Sequence, residues 1–339
     1  MNNKLVVAYF SSDLFAEPCG VSIASLFENN KFFEKIIVYI IDNQISDANK
    51  MRFQTLAEQY HRNIEMIKMP KPQTFFSDQR FTIESLGNTF GRMILGELLP
   101  KHEKKVLCLD SDTLIVDSLE KLWNTNIEDF YIAGVDSAPG IAMMKKTLKI
   151  PPGTLYCNGG VFLMNLEAIR KDGVENKYKT YIKNVFDKGN SLGAYEEEVM
   201  NKCCYPKVLR LHPKYNLMTV NLVMDYDSFI EFRSAVNYYS REEMAEALAN
   251  PTIIHAINTF YIKKRIWEYK SDSPYAELYT QFRNITPWRD LPRIKQRKTI
   301  KQLLMKQIWH MMPQKVAFKL AAFVRNQIRP RMSKKRDDE

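Results

Sequence analysis

No apolar run in this chain approaches the roughly 20 residues that a membrane-spanning helix requires, so a helical span is excluded. The opening segment, MNNKLVVAYFSSD, is too short in its apolar part for a signal peptide, and residues 5–10 read as a buried first strand. The five cysteines (Cys19, Cys108, Cys157, Cys203, Cys204) are odd in number and stand at no metal-ligand spacing. That speaks against a disulfide framework and predicts reduced, mostly buried thiols in a cytosolic protein. There is no G-x-G-x-x-G and no G-x-x-x-x-G-K-[ST], which withdraws support from an ordinary dinucleotide fold and from a P-loop enzyme. Internal repeats and low-complexity segments are also missing.

What is present suits a globular enzyme. The 339 residues are 45% hydrophobic and 12% aromatic, ample for one large α/β domain, or one domain plus an appendage. The net charge of +10 is a local property. Fourteen of the 49 basic residues but only three of the 39 acidic ones lie from Leu291 onward, which leaves residues 1–290 near neutrality at −1. We therefore expect a catalytic domain over 1–290 and a basic tail over 291–339, divided near Pro287–Pro292.

The first part alternates two signals. Residues 5–10, 36–41, 63–68 and 105–109 are strand-like, whereas 21–28, 46–60 (opened by a capping Ser46) and 86–99 (halted by Pro100) are helical. Strands separated by helices of this length imply a doubly wound α/β domain with a mostly parallel sheet, which binds ligands at the carboxyl ends of its strands.

At one such end stand Asp110, Ser111 and Asp112, directly after VLCL. In extended chain, side chains at i and i+2 project together, and a divalent cation removes the repulsion between two carboxylates. The plain alternative is that Asp110 caps a turn while Asp112 is solvated. His255 follows two isoleucines at the end of another short apolar strand. Added to the carboxylates, its imidazole tilts the site from Mg²⁺ toward Mn²⁺, although such a histidine standing alone is more often a satisfied core or turn residue. Tyr156-Cys157-Asn158-Gly159-Gly160 precedes a strand, where paired glycines allow a close backbone approach or merely a tight turn. Glu196, Glu197 and Glu198 open a helix, either as a dipole-favoured solvated turn or with one acid facing a reacting carbon.

In this order the four landmarks resemble glycosyltransferase family 8, the retaining enzymes that include bacterial lipopolysaccharide glucosyl- and galactosyltransferases. The likeness spans roughly residues 4–290. It implies a Rossmann-like nucleotide-sugar-binding domain of the GT-A type, a UDP-hexose donor, a glycan or glycolipid acceptor and a Mn²⁺ cofactor, with Mg²⁺ as the alternative. VVAYFSSD is similar to the family's opening strand and loop, which puts Ser12 and Asp13 near the uridine and Phe15 on the base. NTFGRMILGELLP makes Arg92 a contact to diphosphate or donor sugar. LCLDSDTLIVDSLEKLW carries the metal motif, with Asp110 and Asp112 as ligands, Ser111 between them on the donor, and His255 in the third ligand position. YCNGGVFLMNL puts Asn158 and Gly159 beside the sugar. Two departures stand out. Glu196, Glu197 and Glu198 replace the family's Asp-Gln-Asp, so Glu197, with Glu196 as its neighbour, becomes a candidate nucleophile or stabiliser. Beyond His255 the text is NTFYIKKRIW instead of Gly-x-x-Lys-Pro-Trp. Arg265 then takes the place of the lysine that stabilises leaving diphosphate, with Lys264 and Lys263 as rivals.

From 300 to 312 and again from 316 to 328, apolar residues recur at helical spacing. Lys301, Lys306, Lys315, Lys319, Arg325 and Arg329 flank them, with Trp309 and Phe318 among the hydrophobes. Such a segment suits an anionic bilayer surface, giving a peripheral protein on the cytosolic face, or else a helix packed on the domain. Nucleic acid is not expected, because phosphate binding needs no apolar stripes and the body is near neutral. The main rival function is a haloacid-dehalogenase-like phosphatase, with Asp110 as nucleophile and Asp112 as general acid. That motif normally begins the first strand, yet here more than a hundred residues precede it. Its downstream acidic pair has only Asp225 and Asp227 as an imitation.

Overall fold

The computed structural model describes residues 4–86, 90–138, 148–192, 194–293, 304, 307–309 and 311–328. Among these residues ten strands form two sheets: β1 (Lys4–Ser12), β2 (Lys35–Asn43), β3 (Asn63–Lys68), β4 (Lys105–Leu109), β5 (Thr113–Ile115), β6 (Ile132–Asp136), β7 (Cys157–Asn165), β8 (Val208–Arg210), β9 (Leu217–Met218) and β10 (Ile253–His255). The larger sheet runs β3-β2-β1-β4-β7-β6-β8, and the smaller β5-β10-β9. Among the described residues every strand of the larger sheet points the same way except β7, which is antiparallel to both neighbours. The mostly parallel α/β sheet expected from the sequence is therefore the fold.

Period-two alternation divides the core between the faces of this sheet. Leu5, Val7 and Tyr9 of β1 pack on one side with Phe27, Phe53 and Leu56, contributed by helices α1 (Ala16–Asn29) and α2 (Asp47–Tyr60). Val6, Ala8 and Phe10 face the other side with Phe90, Leu95, Val199 and Met200. Both faces are covered, which is why these strands read as continuous apolar runs.

Two sequence expectations need correction. Residues 86–99 do not form one helix. Phe90–Ile94 is a 3-10 turn, followed by a single α turn at Leu95–Leu98, and residues 87–89 lie outside the described set. Gly91 and Gly96 weaken helix here, and both are used for close approach. A Cβ on Gly91 would lie 2.9 Å from the Phe10 ring, and one on Gly96 would lie 2.7 Å from the Glu175 carboxylate. The first helix also begins earlier than expected, at Ala16 rather than at residue 21.

Trp288 fastens the chain after Ala276–Asn284 to α1 and α2. Its ring is buried, meets Phe53 at a centroid distance of 5.0 Å, and donates from Nε1 to Asn49 Oδ1 at 2.9 Å. It lies so close to α1 that a Cβ on Gly20 would come within 2.2 Å of it. Beside it a buried ion pair, Arg283 Nε to Glu17 Oε1 at 2.8 Å, is completed by Arg283 donating to the Arg289 and Leu291 carbonyls. Trp288→Ala is expected to cost about 3–5 kcal/mol of stability, the range for emptying a buried aromatic site, measured by urea unfolding against wild type.

Candidate active site

The sheet topology explains why distant segments meet. β4 ends at Leu109, and β7 runs against it with Leu109 paired to Val161. The end of β4 therefore adjoins the start of β7, and the Asp110 amide donates to the Gly160 carbonyl at 2.7 Å. After a turn the chain enters β5, whose Thr113 pairs with His255 of β10. Asp110, Asp112 and His255 thus reach one point from two strand ends.

His255 Nε2 lies 3.3 Å from Asp110 Oδ2 and 3.3 Å from Asp112 Oδ1. One donor atom from each of the three residues fits within 4.8 Å of the others. Burial of the ring opposes its charge, but the flanking Asp110 and Asp112 carboxylates outweigh this and lift the imidazole to about 9. Burial likewise opposes the charge on Asp112, yet pairing with His255 and Arg265 leaves that carboxyl below its ordinary value. Despite the proximity, His255 Nε2 is a buried nitrogen without a well-formed hydrogen bond. Two carboxylates and an imidazole nitrogen directed at one point are a suitable donor set for a divalent cation. Gly160 makes the approach possible, since a Cβ there would lie 2.2 Å from His255 Cε1 and 2.6 Å from Asp110 Oδ2.

A cleft of about 340 Å³ opens beside this cluster, lined among others by Arg92, Asn158, Gly159, Glu196 and Glu197. The three consecutive acids of the helix Tyr195–Cys204 go three ways, because each helical residue rotates by about 100°. Glu196 accepts from buried Arg92 Nη1 at 2.6 Å, while Arg92 Nη2 pairs with Asp110. Arg92 therefore ties the helix to the strand end, with its guanidinium over the Phe10 ring. Glu197 Oε2 accepts from the Gly159 amide at 2.8 Å and from Asn158 Nδ2 at 3.2 Å. Glu198 turns inward, accepting from Tyr181 at 2.8 Å. Burial raises the Glu197 carboxyl to about 7 against the Gly159 hydrogen bond, with the Glu196 charge adding to the rise and Arg233 and Arg92 opposing it.

Of the three candidate cations after β10, Arg265 reaches the cluster, with Nη1 3.4 Å from Asp112 Oδ2. Lys264 instead sends its ammonium to the Tyr269 and Lys270 carbonyls at 2.8 and 3.1 Å, and Lys263 gives its amide to Asp272 at 2.8 Å. Ser12 ends β1, and Asp13 and Phe15 follow it at the same sheet edge. Asp13 accepts from Ser46 N and Asn49 Nδ2, which fastens the start of α2, and Phe15 meets Trp267 edge-on at 5.7 Å. Ser111 Oγ donates to the Phe10 carbonyl at 3.0 Å.

Sequence reasoning missed Tyr195 and Asn216. Tyr195 lines the cleft from a left-handed backbone conformation (φ 45°) and is 47% exposed. Asn216 contacts both His255 and Asn158. A tyrosine before acids and an asparagine after PKY carry no signal that separates them from ordinary turn residues.

A parallel sheet with this acid–imidazole cluster at its carboxyl edge has the architecture of the GT-A glycosyltransferases. The chain belongs to glycosyltransferase family 8, whose model ("Glycosyl transferase family 8") matches residues 6–260. Among similar proteins, General stress protein A of Bacillus subtilis is 22% identical over 282 residues, covering 83% of this chain and 93% of that protein. The lipopolysaccharide 1,3-galactosyltransferase of Salmonella typhimurium is 23% identical over 294 residues, covering 84% and 80%. A solved structure of the galactosyltransferase LgtC with donor and acceptor sugar analogues has the same fold, at TM-score 0.67 and 20% identity over 84% of this chain and 99% of that one.

The phosphatase alternative is thereby set aside. Its acidic pair is occupied elsewhere: Asp225 caps the helix Tyr226–Arg233 by accepting from the Ser228 amide at 3.0 Å, and Asp227 pairs with Arg241.

Proposed function

We propose that this glycosyltransferase moves glucose or galactose from a UDP-hexose to a cell-surface glycan or lipopolysaccharide-type acceptor, with retention at the anomeric carbon. The observation that carries this reading is the convergence of Asp110, Asp112 and His255 beside the cleft that also receives Glu197. The names of the relatives support a hexose donor and a lipopolysaccharide acceptor.

In this reading Asp110, Asp112 and His255 hold Mn²⁺ or Mg²⁺, and when bound the cation supplies Lewis-acid stabilisation of the departing diphosphate. Arg265, beside Asp112, adds a fixed positive charge to the same leaving group. Ser12, Asp13 and Phe15 border the nucleoside, with Ser111 and Lys264 assigned to the donor as well. Arg92, Asn158 and Gly159 border the sugar. Glu197 faces the anomeric carbon, where its carboxylate stabilises growing positive charge or attacks, and Glu196 holds Arg92 in register. A screen of nucleotide sugars for UDP release, with and without Mn²⁺, tests the reading. Release from UDP-glucose or UDP-galactose that depends on the cation is expected, and no release from any UDP-hexose would end it.

We assign residues 291–339 to association with an anionic membrane surface. No helix among the described residues is long and apolar enough to cross a bilayer. Of the residues behind this expectation, Ile300, Lys301, Leu303, Lys306 and Arg329 lie outside the described set. The helix Gln314–Phe323 packs on Tyr226–Arg233 and buries Ala317, Phe318, Ala321 and Ala322, with the Phe318 ring 5.3 Å from that of Tyr261. Its outward side is apolar as well: Val316, Leu320 and Phe323 are 51%, 42% and 56% exposed. Packing on the domain alone leaves that stripe unexplained, whereas an interface with lipid uses it and the nearby lysines together. Leu320→Glu with Phe323→Glu should weaken binding to anionic vesicles roughly tenfold or more, from the lost apolar burial. Unchanged partitioning would refute the assignment.

A further inference from the structure

One backbone amide fixes the direction of the hydrogen bonds that run from Asn158 to Asn216 and His255. The Gly160 N–H can only donate, and it lies 3.0 Å from Asn158 Oδ1, so that atom must be the amide oxygen. Asn216 then has to present its nitrogen to the same oxygen, at 2.9 Å. Its own oxygen is left facing His255 Nδ1 at 3.0 Å, which requires the proton on Nδ1. In the neutral ring the lone pair therefore sits on Nε2, the nitrogen aimed between Asp110 and Asp112. At the other end Asn158 Nδ2 is free to donate to Glu197 Oε2, at 3.2 Å. The result is a continuous relay, from His255 through Asn216 and Asn158 to Glu197.

We propose that Asn216 is the positioning residue of this enzyme. It selects the His255 tautomer that can ligate a cation, and it fixes the Asn158 amide that orients Glu197, so that one side chain aligns both halves of the site. Asn216 is suited to this by its place in the fold. It is 1% exposed and ends the turn Pro213–Asn216 that leads into β9, whose Leu217 and Met218 pair with Ile254 and His255. Asparagine is the side chain that can accept from an imidazole N–H and donate to a carbonyl at the same time within this length. Such partners of metal-bound histidines set ring orientation and ligand basicity. The inference rests on the metal-dependent reading above.

The experiment titrates Mn²⁺ calorimetrically into the full chain after EDTA treatment, for wild type, Asn216→Asp and Asn216→Leu. Cation-dependent UDP release from the active UDP-hexose is measured in parallel. Asn216→Asp keeps the acceptor for His255 but loses the donor to Asn158. Its Mn²⁺ affinity should stay within a few-fold of wild type while kcat falls. Asn216→Leu loses both bonds, so Mn²⁺ affinity should fall roughly 10–100-fold together with kcat. Wild-type affinity in Asn216→Leu would overturn the proposal, as would an equal loss of affinity in both variants, the mark of a merely structural role. Should Asn216→Leu fail to fold, the near-isosteric Asn216→Asp still decides, through its separation of cation affinity from turnover. Failure of wild type itself to bind Mn²⁺ would instead remove the metal reading, and the inference with it.

Discussion

Asp112→Asn should lower kcat roughly a thousandfold, the factor that several kcal/mol of lost leaving-group stabilisation represents. The fold should remain. Asp112 is preferable to Asp110 for this test because of what each removal strands. Arg92, 4% exposed, pairs with both Asp110 and Glu196, so a change at Asp110 leaves a buried guanidinium with half its partners. Arg265 is 25% exposed at its side chain and can turn to water when Asp112 loses its charge. Asparagine keeps the shape and one acceptor oxygen while subtracting the anion that a hard cation needs. Two further readouts isolate the metal. EDTA should bring wild type to the level of the variant without lowering the variant further. Mn²⁺ should raise the melting temperature of wild type and leave that of Asp112→Asn nearly unchanged, since a ligand stabilises only the state it binds. Wild-type turnover by Asp112→Asn in EDTA would dismiss the cation from the chemistry.

What the sequence disclosed follows from residue chemistry. The strands β1, β2 and β4 were legible because a sheet covered on both faces leaves uninterrupted apolar runs, and β3 because its alternation survives in NIEMIK. The two carboxylates and the imidazole were legible from their place at the ends of apolar strands and from their combination, since each alone also fits an ordinary structural role. Their arrangement was only partly so. Asp110 and Asp112 flank a turn, with the Thr113 amide on the Asp110 carbonyl at 3.2 Å, and they converge by that turn rather than by strand alternation. Strands β6, β8 and β9 are short and mixed in composition, and tertiary pairing alone makes them strands. The division of labour among Glu196, Glu197 and Glu198 depends on which elements surround the helix, information that no local pattern holds. Asn216 illustrates the limit most sharply, since its importance lies wholly in two partners 39 and 58 residues away.

The pH dependence of turnover should expose Glu197. Its folded-state value of about 7 stands well above the ordinary 4.5, because burial and the charge of Glu196 outweigh the Gly159 hydrogen bond and the two arginines. If the anion is what faces the positive charge growing at the anomeric carbon, kcat rises with pH through about 7 in wild type. Glu197→Gln preserves the acceptor for Gly159 and Asn158 but cannot ionise, so that limb should flatten while partial turnover persists. Glu197→Ala removes the group altogether and should cost roughly 100- to 1000-fold, comparable to deleting one preorganised electrostatic contact. Stability supplies an independent sign check. A carboxyl whose folded value is raised leaves the native state holding the extra proton between 4.5 and about 7, so wild type loses stability as pH climbs through that window. Glu197→Gln should show a shallower decline over the same interval. A pH–rate profile for Glu197→Gln that superimposes on wild type would show that this carboxylate takes no part in the transfer.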